Sequence, residues 1–254
     1  MTNLFGMNSI KSKGKVALVT GSSKGIGAEI AKKLAKDGFT LVVNHSRQSD
    51  LVDEIIKEIE FEGGKAISYR ADVSDPSAVQ QMFHDIQHEL GSIDVLVNNA
   101  GVMELAPIAD ISNESVARQI DINLKGVIYT SREAAAHLAH GGRIVNLSSS
   151  VTELNMENYG IYAATKASVE TLTRVLSKEL RGKEITVNAV SPGPTATDLF
   201  LKDKSKDVID RLANMSPLGR LGTAQDIASV VSFIVGNDGT WINGQVIRAN
   251  GGLV

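Results

Sequence analysis

No cysteine occurs among the 254 residues. That removes disulfides, thiolate nucleophiles and cysteine-ligated metals, and a reducing compartment, the cytoplasm, is expected. The five histidines do not form a ligand set either, so no metal site is expected. Aromatic residues are scarce, at 4%, and the one tryptophan, Trp241, is expected to pack ahead of the last strand. Neither sign of charge dominates. The net charge is −3, which speaks against nucleic acid or an anionic membrane as partner. No apolar run is long enough to span a bilayer. Residues 1–13 lack the apolar core of a secretory signal and read as a flexible extension. With no repeat, low-complexity tract or linker, residues 14–254 are expected to form one domain.

What the chain does contain is alternation. Short apolar, β-branched runs at 16–19, 40–43, 66–69, 95–97, 144–147, 185–190 and 245–247 predict strands. Between them lie segments with apolar residues three and four apart. Leu51, Ile55, Ile56 and Ile59 predict a helix with one buried face. Ser74-Asp75-Pro76 predicts a helix start, with Ser74 as the capping side chain and then a proline that needs no amide hydrogen. Strands alternating with helices imply parallel pairing through right-handed crossovers. The expected fold is α/β: a Rossmann-type doubly wound parallel sheet of about seven strands with helices on both faces. The charged stretch 199–215 joins no obvious strands and reads either as a flap over a site or as a solvated surface helix.

Tyr162-Ala163-Ala164-Thr165-Lys166 places a phenol and an amine on one face of a helix, four residues apart. A free tyrosine ionises near pH 10, so only roughly one in a thousand is charged at neutral pH. A neighbouring cation favours the phenolate, and a shift of about 3 units would represent roughly 4 kcal/mol. The pair is therefore expected to exchange a proton with an alcohol or carbonyl oxygen.

Thr20-Gly21-Ser22-Ser23-Lys24-Gly25-Ile26-Gly27 follows the first predicted strand and opens the first helix. Its glycines permit a tight turn and let a helix N-terminus approach a pyrophosphate. Gly21, Ser23, Lys24, Gly25, Ile26 and Gly27 are the expected cofactor contacts, with Asn44, Ser46 and Arg47 beyond the second strand. The acid that would hold a ribose 2′-hydroxyl is missing there, since the chain reads Asn44-His45-Ser46-Arg47 and its first acid is Asp50. Lys24 and Arg47 instead offer two cations to a 2′-phosphate, which points to NADP(H).

Taken together, the glycine turn, Asn98-Asn99-Ala100-Gly101, Ser149, the Tyr162 to Lys166 run and Pro192-Gly193 resemble the short-chain dehydrogenase/reductase family over residues 15–252. The resemblance implies an oxidoreductase acting on ketones, aldehydes or the matching alcohols. It makes Tyr162 the acid/base, Ser149 the donor that polarises the carbonyl, and Lys166 the ribose-holding amine. Asn123 would complete the set through a relay water. It further implies that Asp72 and Val73 meet the adenine, that Asn99, Ala100 and Gly101 border the adenine-side ribose, and that Pro192, Gly193, Thr195 and Thr197 meet the nicotinamide. Glu104, Asn155 and Tyr159, together with Met156, are expected to face the substrate.

Within the family the pattern is nearest to 3-oxoacyl-[acyl-carrier-protein] reductases, which dock an acidic carrier on basic residues near the active site. Here Ala134-Ala135-Ala136-His137-Leu138-Ala139-His140 lacks those cations, and Arg181 and Lys183 remain. A general NADPH-dependent carbonyl reductase is therefore the first expectation and the carrier-thioester enzyme the alternative. A non-catalytic NADP-sensing regulator is more remote, because all four polar catalytic positions are present. The family also implies a homotetramer, packed through helices at 113–138 and 162–180.

Overall fold

The computed structural model describes residues 14–202 and 204–254; the expected N-terminal extension lies outside the described residues. Seven parallel strands form one sheet in the order β3-β2-β1-β4-β5-β6-β7. They are β1 (Val16–Val19), β2 (Thr40–His45), β3 (Lys65–Arg70), β4 (Ile93–Asn98), β5 (Arg143–Leu147), β6 (Thr186–Pro192) and β7 (Val246–Ala249). Strands flanked on both sides are buried on both faces and read as unbroken apolar runs, as Val16-Ala17-Leu18-Val19 does. The two edge strands are the exceptions: β3 has exposed residues at both ends, and no residue of β7 is fully buried.

Helices cover both faces. On one lie α1 (Gly25–Lys36), α2 (Asp50–Phe61) and α10 (Ala224–Val235), whose Ile30, Leu34, Ile59 and Ile234 share a core with the sheet. On the other lie α3 (Pro76–Leu90), α5 (Gly126–His137) and α7 (Gly160–Glu179), which contribute Met82, Phe83, Ile86 and Leu176. The short α4 (Asn113–Ile120) runs through a π-helical turn, Asp121–Lys125, into α5. Three helices stand over the strand C-termini: α6 (Val151–Leu154), α8 (Asp198–Leu201) and α9 (Lys206–Met215).

Three expectations need correction. The buried stripe of α2 is Val52, Ile55 and Ile59, while Leu51 is 45% exposed, because it lies in the first turn on the solvent side. The cap of α3 is Asp75, which accepts from the Ser77 and Ala78 amides; Ser74 instead donates its hydroxyl to Asp72 at 2.7 Å. Trp241 is 97% exposed and packs in no core of this protomer.

Candidate active site

The strand order reverses direction between β1 and β4, and parallel α/β sheets open a crevice at such a point. Here a cleft of about 1110 Å³ lies over the strand ends. That exceeds the upper range for a single drug-sized ligand and has room for a dinucleotide beside a second molecule.

At one end the chain turns from β1 into α1. Gly21 has φ +60°, and a Cβ there would lie 2.8 Å from the Ala100 Cα. A Cβ on Gly27 would lie 2.4 Å from the Asn99 amide nitrogen and 2.7 Å from the Gly21 carbonyl. Asn99 donates to the Thr20 and Gly21 carbonyls at 2.9 Å, which locks the turn to the end of β4. The Thr20 hydroxyl takes the Asn99 and Ala100 amides from below.

Side chains cap α2, α3, α4, α9 and α10 (Ser49, Asp75, Ser112, Ser205 and Thr223), yet Lys24 makes no cap on α1. The α1 N-terminus therefore presents amides and the positive end of its dipole to the cleft. This cradle fits a pyrophosphate. Ser23, Lys24, Gly25, Ile26, Ser46 and Arg47 border the same end, with Lys24 and Arg47 both exposed.

Asn44 also borders the cleft, but its side chain is committed elsewhere. It donates to the Tyr69 and Ala71 carbonyls and accepts from the Gly21 amide at 3.2 Å. The residue standing in the usual place of the acid thus braces the glycine turn against β3. Asp72 and Val73 line the adjoining wall, where the Asp72 carboxylate accepts from the Ser74 amide and hydroxyl. Ala100 and Gly101 continue that wall from β4. Pro192, Gly193, Thr195 and Thr197 form the loop after β6; Thr195 donates to the Gly193 carbonyl, and Thr197 caps α8.

Ser149, Tyr162 and Lys166 line the same cleft. Ser149 follows β5, and α7 delivers the other two from one face. The Lys166 ammonium lies 5.8 Å from the centre of the Tyr162 ring and donates to the Leu147 carbonyl at 2.7 Å. Burial pushes the Tyr162 phenol up to about 12, although its hydrogen bond with Ser149 pulls the other way. Burial also brings Lys166 down to about 8. The expected acidified phenol is therefore opposed by the surroundings, since desolvation of both groups dominates. Burial thus favours the protonated phenol at neutral pH.

Asn123 does not line the cleft. It sits fully buried in the π-helical turn, donates to the Val102 carbonyl and accepts from the Val102 amide, both at 2.8 Å. A Cβ on Gly101 would lie 3.3 Å from the Asn123 Oδ1 and 3.7 Å from the Lys166 ammonium, so both polar groups face that glycine. A π-helical turn is a common device for re-aiming a functional side chain.

Tyr159 and Met156 line the cleft; Glu104 and Asn155 do not. Glu104 is turned to Arg118 at 2.7 Å, and Asn155 ends α6 in the left-handed region with φ 50° and its amide on the Glu153 carbonyl. Sequence reasoning missed Met103, Arg118, Ile122 and Leu154 in this wall. Nothing local marks them, because the approach of α4 to the cleft is made by the fold. Leu199, Phe200 and Leu212 from the 199–215 stretch also line it, so α8 and α9 form part of the site's roof.

A family model described as enoyl-(acyl carrier protein) reductase matches residues 21–254. A short-chain type dehydrogenase/reductase of Picea abies is 41% identical over 251 residues, spanning 95% of this chain and 93% of the relative. An Arabidopsis thaliana protein named NADPH-dependent aldehyde reductase-like protein, chloroplastic, is 41% identical over 255 residues, spanning 95% and 94%. Among solved structures, a short chain dehydrogenase from Burkholderia cenocepacia in complex with NADP superimposes with a TM-score of 0.89 at 36% identity. That match covers 94% of this chain and 97% of the other. The chain belongs to the short-chain dehydrogenase/reductase family.

Proposed function

We propose that this protein is an NADP(H)-dependent oxidoreductase that reduces a ketone or aldehyde to the alcohol by hydride transfer, with Tyr162 as its acid/base. The observation that carries the reading is one cleft lined by Ser149, Tyr162 and Lys166 together with the glycine-rich turn and two exposed cations, Lys24 and Arg47. The names of the Arabidopsis and Burkholderia proteins agree with it.

When bound, NADPH supplies the hydride. Gly21, Gly25 and Gly27 with the α1 amides hold the pyrophosphate, and Lys24 and Arg47 hold the 2′-phosphate. The Ser149 hydroxyl donates to the carbonyl oxygen as negative charge develops there. Tyr162, kept neutral by its surroundings, donates the proton. Lys166 keeps a positive charge beside the phenol while the Leu147 carbonyl orients it, and Asn123 braces the strand-end loop behind it.

The substrate wall is apolar: Met103, Leu154, Met156, Tyr159, Phe200 and Leu212. Among the described residues on that side, Arg118 is held by Glu104, with Glu114 and Asp121 nearby along the cleft. This favours a neutral carbonyl compound over an anionic one. The 3-oxoacyl-carrier thioester remains the alternative; the family model's description also names an acyl carrier protein, but for an enoyl double bond and not a carbonyl. Against it, Lys183 donates to the Ala135 carbonyl at 2.6 Å and leaves Arg181 as the other cation of a thin patch. A cytoplasmic location, a homotetramer and a mobile roof made by α8 and α9 complete the reading. Ile128 on α5 and Val175 on α7, 41% and 46% exposed, suit a helix-to-helix interface.

Steady-state NADPH oxidation with free ketones, aldehydes and acetoacetyl thioesters is the test. Tyr162→Phe should lower kcat by about 100-fold or more while keeping cofactor affinity, and Arg47→Ala should narrow the preference for NADPH over NADH. Wild-type turnover by the Phe variant, or no NADPH oxidation with any carbonyl, defeats the proposal.

A further inference from the structure

Residues 162, 166 and 170 fall one turn apart on α7, so the helix face that carries the phenol and the amine also carries a carboxylate, Glu170. Glu170 is 9% exposed and does not border the cleft. A buried carboxylate is costly unless hydrogen-bonded, and an apolar side chain would fill the same space without that cost. Its hydrogen bonds show what it holds. The Ser148 hydroxyl donates to Glu170 Oε1 at 2.5 Å, and the Thr152 hydroxyl donates to the same oxygen at 3.1 Å. These two residues bracket Ser149. The Thr152 hydroxyl also donates to the Ser149 carbonyl at 3.0 Å.

From the opposite side, the Ser148 and Ser150 amides donate to the Val190 and Pro192 carbonyls at 2.7 and 2.9 Å. The end of β6 therefore sets where the turn 148–152 starts, and Glu170 ties that turn to the helix. Ser149 comes from one element, Tyr162 and Lys166 from another. Few side chains join those elements at this level, and Glu170 joins them through residues on both sides of the serine. We propose that Glu170 is a positioning residue, which keeps the Ser149 hydroxyl in register with Tyr162 by clamping the turn 148–152 to α7. The inference rests on the carbonyl-reductase reading above.

Removing the acceptor should let the turn drift, and a displacement of about 1 Å at a reacting group can cost about 100-fold in rate. Glu170→Leu is expected to lower kcat by about 10- to 100-fold, with the NADPH dissociation constant unchanged because the cofactor end is untouched. Glu170→Gln retains an acceptor oxygen for both hydroxyls and should restore kcat to within about threefold of wild type. The deciding measurement is a double-mutant cycle with Ser149→Ala. If Glu170 works through the serine, Glu170→Leu in the Ser149→Ala background should change kcat by less than about twofold. Equal losses in both backgrounds, or a Glu170→Leu enzyme with wild-type kcat, overturn the proposal. Should Glu170→Leu not fold, Ser148→Ala removes the shorter hydrogen bond and runs through the same cycle with the same expectations. If Ser149→Ala alone leaves kcat intact, it is the carbonyl-reductase reading that fails.

Discussion

The Lys166 ammonium makes a 2.7 Å hydrogen bond to a backbone carbonyl inside a protein wall, 5.8 Å from the ring it was expected to acidify. Desolvation acts on each member of this pair against its charged form. The phenol stays protonated, and the amine loses its proton near pH 8. For the proposed carbonyl reduction these states would be complementary: a neutral phenol would give the proton, and a cation beside it would stabilise the phenolate left behind. The reverse reaction starts from a phenolate, which burial holds scarce below about 12.

The sign of the pH effect follows. Lys166 is charged below its folded-state value and neutral above it, while Tyr162 keeps its proton across that window. kcat/KM for NADPH, which reports ionisations of the free enzyme, should fall as pH rises through about 8. In Lys166→Met, which cannot titrate, the residual activity should show no such limb. A wild-type profile flat to pH 10 (roughly two units past that point, where a single titrating group is about 99% deprotonated) would contradict this.

Among the elements, the β1-to-α1 turn has little room for an added side-chain atom. Gly27 has an ordinary backbone conformation, so its constraint is purely one of space against Asn99, Gly21 and Ser22. Gly27→Ala should displace the Asn99 amide, cost about 1–3 kcal/mol in stability and weaken NADPH binding by about tenfold or more, measurable by cofactor fluorescence. Gly38, with φ +94° and nothing within 4 Å of the point where a Cβ would stand, is the control. Gly38→Ala should lower stability through backbone strain alone and leave NADPH affinity unchanged. Local chemistry made these elements legible. The glycine spacing, the Asp75-Pro76 start and the β-branched strand runs each carry their own reason to form. The side of α2 that faces inward was less legible at its first turn, where Leu51 and Val52 are both apolar and only packing chooses between them.

For the molecule as a whole, the exposed Ile128, Val175 and Trp241 are apolar groups that the protomer does not cover. Size-exclusion chromatography with light scattering should give about four times the 27.0 kDa chain mass if the proposed tetramer forms. A monomer at micromolar concentration would rule it out.

The chain by itself determined the parallel sheet, the glycine cradle and the pairing of Tyr162 with Lys166, because strand patterning, turn chemistry and helical spacing are properties of neighbouring residues; Ser149 joined that pair only through the family resemblance. Only the tertiary structure decided that Glu104 and Asn155 point away from the cleft, that Asn44 is a brace and that the phenol is neutral. It also decided that α4, α8 and α9 supply the apolar wall. Those outcomes depend on which distant segments meet and how much water they exclude, and neither burial nor long-range hydrogen bonding is encoded within any one stretch of residues.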